Sequence, residues 1–597
     1  MISEPRLYGA AIVAMVLSAL LMYLVPLIPQ VVIDGVLLES GEGPSSFERF
    51  ILSLLGGSEF VGRNLWWPGL VILFLSVLAG AFAYFRGAFS AKATERIVQR
   101  MRDNLYQKLQ RAPVGFIDRS ETGDLIQRCT SDVDTVRIFL SAQVVEVARA
   151  IAMLIVPLPF MLLISPVMTL ASIVFLPVIV IFAFFYFKRI RVAFLDVDEA
   201  EADLTSTVQE NISGIRVVRA FAQQEQECEK FDGRNGRHRD LDNHLYRVLA
   251  WFWSISDLMC MSQKIIVVGL GLVLLGLGHL EVGAFFFFLT VVSMFVWPIR
   301  QMGRILADLG KAQVALGRIG HVLEQPEESH GETGVELARE SLAGAISFRG
   351  VTFSHPESDP VLHDISFEVA AGSTIALVGP SGCGKSTIIN LLMRFYEPDE
   401  GSIELDGIRL SEIDRTSLRS NLSVVMQEPF LYSRSLMDNL AMGRDGAEER
   451  EIVEATTVAS IHDSIMEFEE GYSTVVGERG LTLSGGQRQR LSIARALLRD
   501  PAVLVLDDAL SAVDTKTERA ILAALKDRKH RHTTILIAHR LTTVMQADEV
   551  LVLDEGRIVD RGSHDELLKR QGIYRRFWDI QHKGMDSLND DSSGDSA

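Results

Sequence analysis

Long apolar runs fill the first half of the chain and are missing from the second. Leu7 to about Val36, Pro68 to Phe89, Ile138 to Ile164, Val167 to Phe187, Leu249 to Leu280 and Val282 to about Leu306 carry few charges. A helix crosses the hydrocarbon core of a bilayer in roughly 20 residues, and these runs are that long or longer. They predict about six membrane spans. Glu39 to Asn64, with Gly41, Gly43 and Pro44, reads as a loop after the first span, and Ser165-Pro166 as a tight turn between the third and fourth. Too few residues precede Leu7 to form the basic region of a cleavable signal, so the first run is expected to remain a span.

Basic residues orient the spans. Lys92, Arg96, Arg100, Arg102, Lys108, Arg111, Arg119 and Arg128 lie between the second and third. Lys188, Arg189, Arg191, Arg216, Arg219, Lys230, Arg234, Arg237 and Arg239 lie between the fourth and fifth. The opposite loops show only Arg49 and Arg63. Positive charge stays on the cytoplasmic side, so both basic segments and both termini are expected there, in a multi-pass protein of the cell membrane. Met101 to Leu109 and Ala200 to Gln209 are rich in helix formers, so the spans are expected to continue as cytoplasmic helices. Each extension is interrupted, at Arg111–Asp124 and at Glu210–Phe221.

Six charges fall within or near the apolar runs: Glu146, Arg149, Asp257, Lys264, Arg300 and Arg304. Such charges face a bundle interior or a watery cavity, or pair with one another. Arg300 is the foremost candidate for touching a substrate. The Phe285–Phe288 run is expected to meet lipid or neighbouring helices.

The expected layout is an all-α transmembrane domain over residues 1–320, a charge-rich linker over 321–345, an α/β domain over 346–581 and an acidic, serine-rich tail over 582–597. In the α/β part, strands are predicted at Ala345–Phe348, Ile365–Val369, Thr374–Val378, Ser402–Leu405, Leu422–Met426, Ala502–Leu506, Thr533–Ile537 and Val550–Leu553, alternating with helices, which predicts a parallel sheet. The net charge of −18 argues against nucleic acid as a partner. Cys129, Cys228, Cys260 and Cys383 are scattered, without metal-ligand spacing, and read as reduced thiols.

The chemistry sits on two phrases. Gly379-Pro380-Ser381-Gly382-Cys383-Gly384-Lys385-Ser386-Thr387 follows the strand Thr374–Val378 and is a GxxxxGK[ST] loop. Its glycines let backbone N–H groups wrap phosphate oxygens, Lys385 reaches the β/γ-phosphates, and the Ser386 hydroxyl ligates Mg²⁺. Leu481 to Asp514 then carries Leu483-Ser484-Gly485-Gly486-Gln487, a helical run and the apolar strand Val503–Leu506 ending in Asp507-Asp508. A carboxylate at the C-terminal end of such a strand can hold magnesium beside a phosphate.

With LSGGQ between the phosphate loop and an Asp-terminated strand, almost the whole chain resembles a half-transporter of the ATP-binding cassette (ABC) exporter family. The resemblance implies a P-loop ATPase binding ATP and Mg²⁺, joined to a membrane domain that exports a hydrophobic or amphipathic drug or lipid. It implies that His355, where a tyrosine is usual, stacks on adenine, and that Gly379 and Ser381 to Thr387 bind ATP. Ser386, Gln427 and Asp507 would hold Mg²⁺. Asp508 and the switch histidine His539, with Gln427, would serve catalysis, and Glu478 would report across the dimer. Ser484, Gly485, Gly486 and Gln487 would clamp a partner's nucleotide, and Ser511–Asp514 would cross between ATPase domains. The two helix interruptions resemble the family's coupling helices.

One departure stands out. The family places glutamate directly after Asp507, and this chain has Asp508, shorter by one carbon, on the order of 1.5 Å. A misplacement near 1 Å can cost about 100-fold. The chain is therefore expected to pair with a second half-transporter that supplies the glutamate and an altered signature. A homodimer with two slow sites is the alternative, and a nucleotide-regulated channel or regulatory subunit a further one.

Overall fold

The structure is a computed structural model. It describes residues 4–38, 46–328, 334–356, 358–477, 480, 482–527, 532–538 and 540–581, without the side chains at 46, 297, 299–304, 306 and 307. His539, Glu478, the acidic tail and the side chains of Arg300 and Arg304 lie outside the described residues.

Residues 1–111 and 120–325 form one compact unit, and residues 112–119 fall with 326–597 in the other. Among the described residues the regular structure of the first unit is all helix. Among the described residues, five helices are long and apolar enough to cross a membrane: α1 (Pro5–Leu37), α2 (Trp66–Arg111), α4 (Thr122–Ile164), α5 (Pro166–Ser213) and α7 (Gln224–Gly276). Among the described residues four short helices lie between them in the chain: Ser46–Leu54 and Ser58–Arg63, which correct the loop expected over Glu39 to Asn64, and α3 (Val114–Arg119) and α6 (Ile215–Ala220). The last helix, α8 (Val282–Leu323), begins with the shorter apolar stretch Val282–Val296, at the place of the sixth expected span. With 46 residues, α2 is about 69 Å long at 1.5 Å per residue, roughly twice the hydrocarbon thickness. The basic segments are thus helical continuations of the spans, as their composition predicts. The two expected interruptions contain α3 and α6.

The helical core gathers Tyr23, Met161, Met168, Phe287, Phe288 and Phe295. In the phenylalanine run, Phe287 and Phe288 are buried against neighbouring helices, while Phe286 is exposed on the outer face.

The second unit contains two sheets. β1 (Ile346–Ser354), β2 (Pro360–Val369), β4 (Glu400–Leu405) and β5 (Ile408–Arg409) make an antiparallel sheet of order β2-β1-β4-β5. β3 (Thr374–Val378), β6 (Leu422–Val425), β7 (Val503–Asp507), β8 (Thr533–Ile537), β9 (Glu549–Asp554) and β10 (Arg557–Gly562) make the other, of order β10-β9-β3-β8-β7-β6. Only β10 runs antiparallel in it. The α/β core is as expected, with one correction: three of the strands expected to run parallel, at Ala345–Phe348, Ile365–Val369 and Ser402–Leu405, belong to the antiparallel sheet. Their alternate burial, seen in β2, is that of a sheet with one wet face, whereas every residue of β7 and β8 is buried. Each of Val503 to Leu506 thereby contributes roughly 1.5–3 kcal/mol. The C-terminal ends of β3, β8, β7 and β6 share one edge, where open α/β sheets bind ligands.

Candidate nucleotide site

β3 delivers the phosphate loop to that edge. The loop depends on its glycines. A Cβ on Gly379 would run into the Leu553 carbonyl oxygen and the Cys383 Sγ, and one on Gly384 would meet Leu362 Cδ2 at 2.5 Å. Gly382 and Gly384 have φ of 80° and 100°, which side chains resist. Gly384 then caps α9 (Lys385–Leu392), so the first N–H groups of that helix face the loop.

The Lys385 ammonium lies inside the loop, donating to the carbonyls of Gly379 at 2.9 Å and Pro380 at 2.7 Å. It stands 3.6 Å from the buried Cys383 Sγ. Thr387 is buried behind it, and Ser381 is exposed at the rim. The Ser386 hydroxyl donates to Asp507 Oδ2 at 3.3 Å, joining the phosphate loop to the end of β7. A hydroxyl and a carboxylate so placed suit a hard, oxygen-seeking cation. A cradle closed to Cβ atoms, with a cation folded onto its own carbonyls, suits a polyphosphate.

Asp508 follows in the left-handed region at φ 47°. Its N–H donates to the Ile537 carbonyl at 2.8 Å, and its carbonyl accepts from Ser511 Oγ at 2.8 Å. The backbone is therefore pinned on both sides of the side chain. Gln427 is exposed two residues beyond β6, and the register pairs Val425 with Leu506, so Gln427 and Asp508 occupy equivalent steps on neighbouring chains. His539 would follow two residues after β8.

His355, just past β1, does not lie open as a simple platform. Its ring meets Phe353 edge-on at 5.0 Å and Tyr396 edge-on at 5.2 Å. The signature forms the start of α11, with α10 (Glu449–Val458) before it in the chain; α11 spans Gly485–Leu498. Ser484 Oγ accepts from the Gln487 N–H at 3.2 Å, while Gln487 Oε1 accepts from the Ser484 N–H at 2.9 Å. This reciprocal cap fixes the helix start. Gly486 packs so closely that a Cβ would sit 2.8 Å from the Ala512 carbonyl oxygen, and Gly485 faces Ala512 as well.

Residues 8–299 match the family model described as ABC transporter transmembrane region, and residues 362–511 the one described as ABC transporter. An uncharacterized ABC transporter ATP-binding protein of Bacillus subtilis, YknU, is 34% identical over 88% of this chain and 90% of its own length. The chain belongs to the ABC exporter family. An ATP-dependent lipid A-core flippase of Yersinia pestis is 35% identical to the exporter, over 89% of this chain and 92% of its own. A bacterial Atm1-family ABC exporter solved with ATP bound superposes with a TM-score of 0.80 at 27% identity, covering 96% of this chain and 99% of that one. The exporter is thus a multi-pass membrane protein with an ATP-hydrolysing domain.

Three residues of the exporter's site escape a reading of the sequence. Gln489, on α11, is buried; its Oε1 accepts from the Ala512 N–H at 2.9 Å and its Nε2 donates to Ser511 Oγ at 3.1 Å. Arg540 donates to the carbonyls of Val513 at 3.0 Å and Ser511 at 2.9 Å and pairs with the buried Glu518 at 3.0 Å. Tyr396, packed on His355, donates from its hydroxyl to Asp118 Oδ2 on α3 at 2.6 Å. Burial, helped by Asp118, pushes the Tyr396 phenol up to about 12. α3 is further held by the buried Phe116 and by Gly115, whose missing Cβ would lie 3.1 Å from the Tyr396 ring.

Among the intramembrane charges, Arg149 pairs with Glu146 one turn away, its Nε at 3.0 Å. Arg86 Nε, on α2, is buried with no partner among the described residues.

Proposed function

We propose that the chain exports an amphipathic, lipid-like or drug-like molecule as one half of a heterodimer in which the site on its own phosphate loop is the slow one. Asp508 carries this reading. A general base must lie within hydrogen-bond reach of its water. The side chain is a methylene short of the family's glutamate, and bonds to Ile537 and Ser511 stop the backbone from advancing to compensate. ATP would be gripped by Lys385, Ser381 to Thr387 and the aromatic edge at His355, yet turned over slowly.

Magnesium held by Ser386 and Asp507, with Gln427 at the adjoining strand end, would neutralise charge on the β- and γ-phosphates. The capped helix start at Ser484 to Gln487 is complete, so the partner's nucleotide would find an intact clamp here. A groove of about 460 Å³ in the ATPase is lined by Met393, Phe395, Leu422, Met426, Phe430 and Arg495. In the membrane unit, Ile215, Val217 and Phe221 at α6 are exposed and apolar, as expected of a coupling helix. Closing the ATPase pair would pull these helices and turn the membrane cavity outward, with ATPases and termini on the cytoplasmic side.

Inverted vesicles test this reading. With the candidate second half-transporter present, cargo is expected to accumulate on addition of ATP, and mutation of the partner's base should abolish it. Equal accumulation by this chain alone would establish the homodimer instead, and nucleotide-gated leakage without accumulation would establish a channel.

A further inference from the structure

Two membrane helices are broken at prolines, and in each a side chain from another helix takes up the backbone left open. In α4 the regular helix ends at Ile155 and resumes at Leu158, around Pro157, and the last ladder bond before the gap runs from the Val156 N–H to the Ala152 carbonyl at 2.9 Å. Proline has no N–H for the carbonyl four residues back, here that of Met153. The Tyr23 hydroxyl, from α1, donates to that carbonyl at 2.7 Å. In α5 the regular helix ends at Ile173 and resumes at Leu176, just before Pro177, and the last ladder bond before the gap runs from the Val174 N–H to the Leu170 carbonyl at 2.9 Å. The carbonyls of Ala171 and Ser172 serve residues 175 and 176 in an unbroken helix. Here both accept from the Nε2 amide of Gln263, on α7, at 2.9 and 2.8 Å. Tyr23 and Gln263 are each 0% exposed.

We propose that the break at Pro177 is a two-state hinge whose bent state is latched by Gln263, and that the break at Pro157 is a fixed joint secured by Tyr23. The difference lies in which groups can replace the side chain. If α5 straightens, the N–H groups of Phe175 and Leu176 return to Ala171 and Ser172 as the Gln263 amide leaves. Donors are exchanged rather than lost, so the two states stay close in energy, as a hinge requires. The Met153 carbonyl has no such reserve, because Pro157 lacks the N–H in either shape, and an open carbonyl in hydrocarbon is costly. Gln263 Oε1 has no partner among the described residues, so the amide is held to α5 by its two donated bonds. The hinge rests on the membrane helices alone and stands apart from Asp508.

The test uses the full chain in lipid nanodiscs without nucleotide, its four cysteines replaced, with spin labels at Leu170→Cys and Phe185→Cys. Both positions are exposed on α5, on either side of the break. A straight helix separates them by about 22 Å along its axis, and bending shortens that distance. Gln263→Leu is expected to move the straight-to-bent ratio by about tenfold towards straight. Pro177→Ala should do the same, and Gln263→Leu should add nothing in that background. Unchanged distances on Gln263→Leu, or an equal shift in both backgrounds, would overturn the hinge. Where the leucine variant fails to assemble, Gln263→Met, closer in shape, should shift the ratio in the same direction, and an unchanged ratio there overturns the hinge equally. At the fixed joint, Tyr23→Phe should lower the thermal midpoint in the parent and leave it unchanged beside Pro157→Ala; equal losses in both would overturn that half.

Discussion

The Tyr396 hydroxyl donates a 2.6 Å hydrogen bond to the carboxylate of Asp118, 278 residues away in sequence. The same Tyr396 ring packs against His355, so one side chain touches both the expected base-stacking residue and α3. Tyr396→Phe keeps the ring and removes the bond. It is expected to leave ATP binding within about twofold and to cut ATP-driven transport several-fold, since a bond to a charged group is worth roughly 1.5–3 kcal/mol at most. The phenol is raised above its ordinary 10.0, so the bond is intact below that pH and is lost as pH climbs from 10.0 to about 12. Coupling efficiency measured across the neutral range should therefore be flat on account of this contact.

Lys385 places its ammonium on the carbonyls of Gly379 and Pro380, where a phosphate would be met. Lys385→Ala removes that charge and leaves a polar loop. A fluorescent-nucleotide titration of the full protein should show affinity falling by at least about tenfold, the equivalent of ~1.4 kcal/mol. Thermal stability without nucleotide should change little, because the substitution also removes a buried positive charge whose desolvation offsets the two lost bonds.

Gln489 ties the signature helix to the turn after β7 through Ser511 and Ala512. Gln489→Leu fills the same space and strands the Ala512 N–H, while Ser511 Oγ keeps its bond to the Asp508 carbonyl. Unpaired groups of this kind cost roughly 1–3 kcal/mol each. ATP turnover is expected to fall more than ATP binding, since the turn carries Asp508; Gln489→Glu, which keeps an acceptor for the Ala512 N–H, should fall less.

How far each part can be read from sequence follows its physics. β3 and β8 begin and end at the predicted residues because their apolar runs are buried on both faces and stop close to polar or turn-forming residues. The antiparallel β1, β2 and β4 are legible as strands but not as a separate sheet, because alternation tells which face is buried and not which strand is next. β10, with Arg557, Asp560 and Arg561, reads as polar loop; only pairing with β9 makes it an edge strand. The phosphate loop and the signature stand out, since their glycines and caps act locally. Gln489, Arg540 and Tyr396 do not, because their partners lie 19 or more residues away, and for Tyr396 in the distant α3.

Gly283 opens α8 against the end of α1. Its N–H and that of Ala284 donate to Asp34 at 2.6 and 2.8 Å, and a Cβ would strike the Gln30 carbonyl oxygen and lie 2.6 Å from Asp34 Oδ2. Gly283→Ala must push the two helices apart, at about 1–3 kcal/mol. A fall in the thermal midpoint of the full protein, with ATP affinity untouched, is the expected outcome.

Asp508→Glu addresses the proposed slow site directly. Single-turnover hydrolysis should be measured on the full protein with the proposed second half-transporter, in which the partner's own base is disabled so that only the site on this chain's phosphate loop reports. A rise of about tenfold to 100-fold is expected, because the added methylene restores the reach of the base. A rate equal to the parent's, in protein that still binds ATP, would contradict the slow-site assignment.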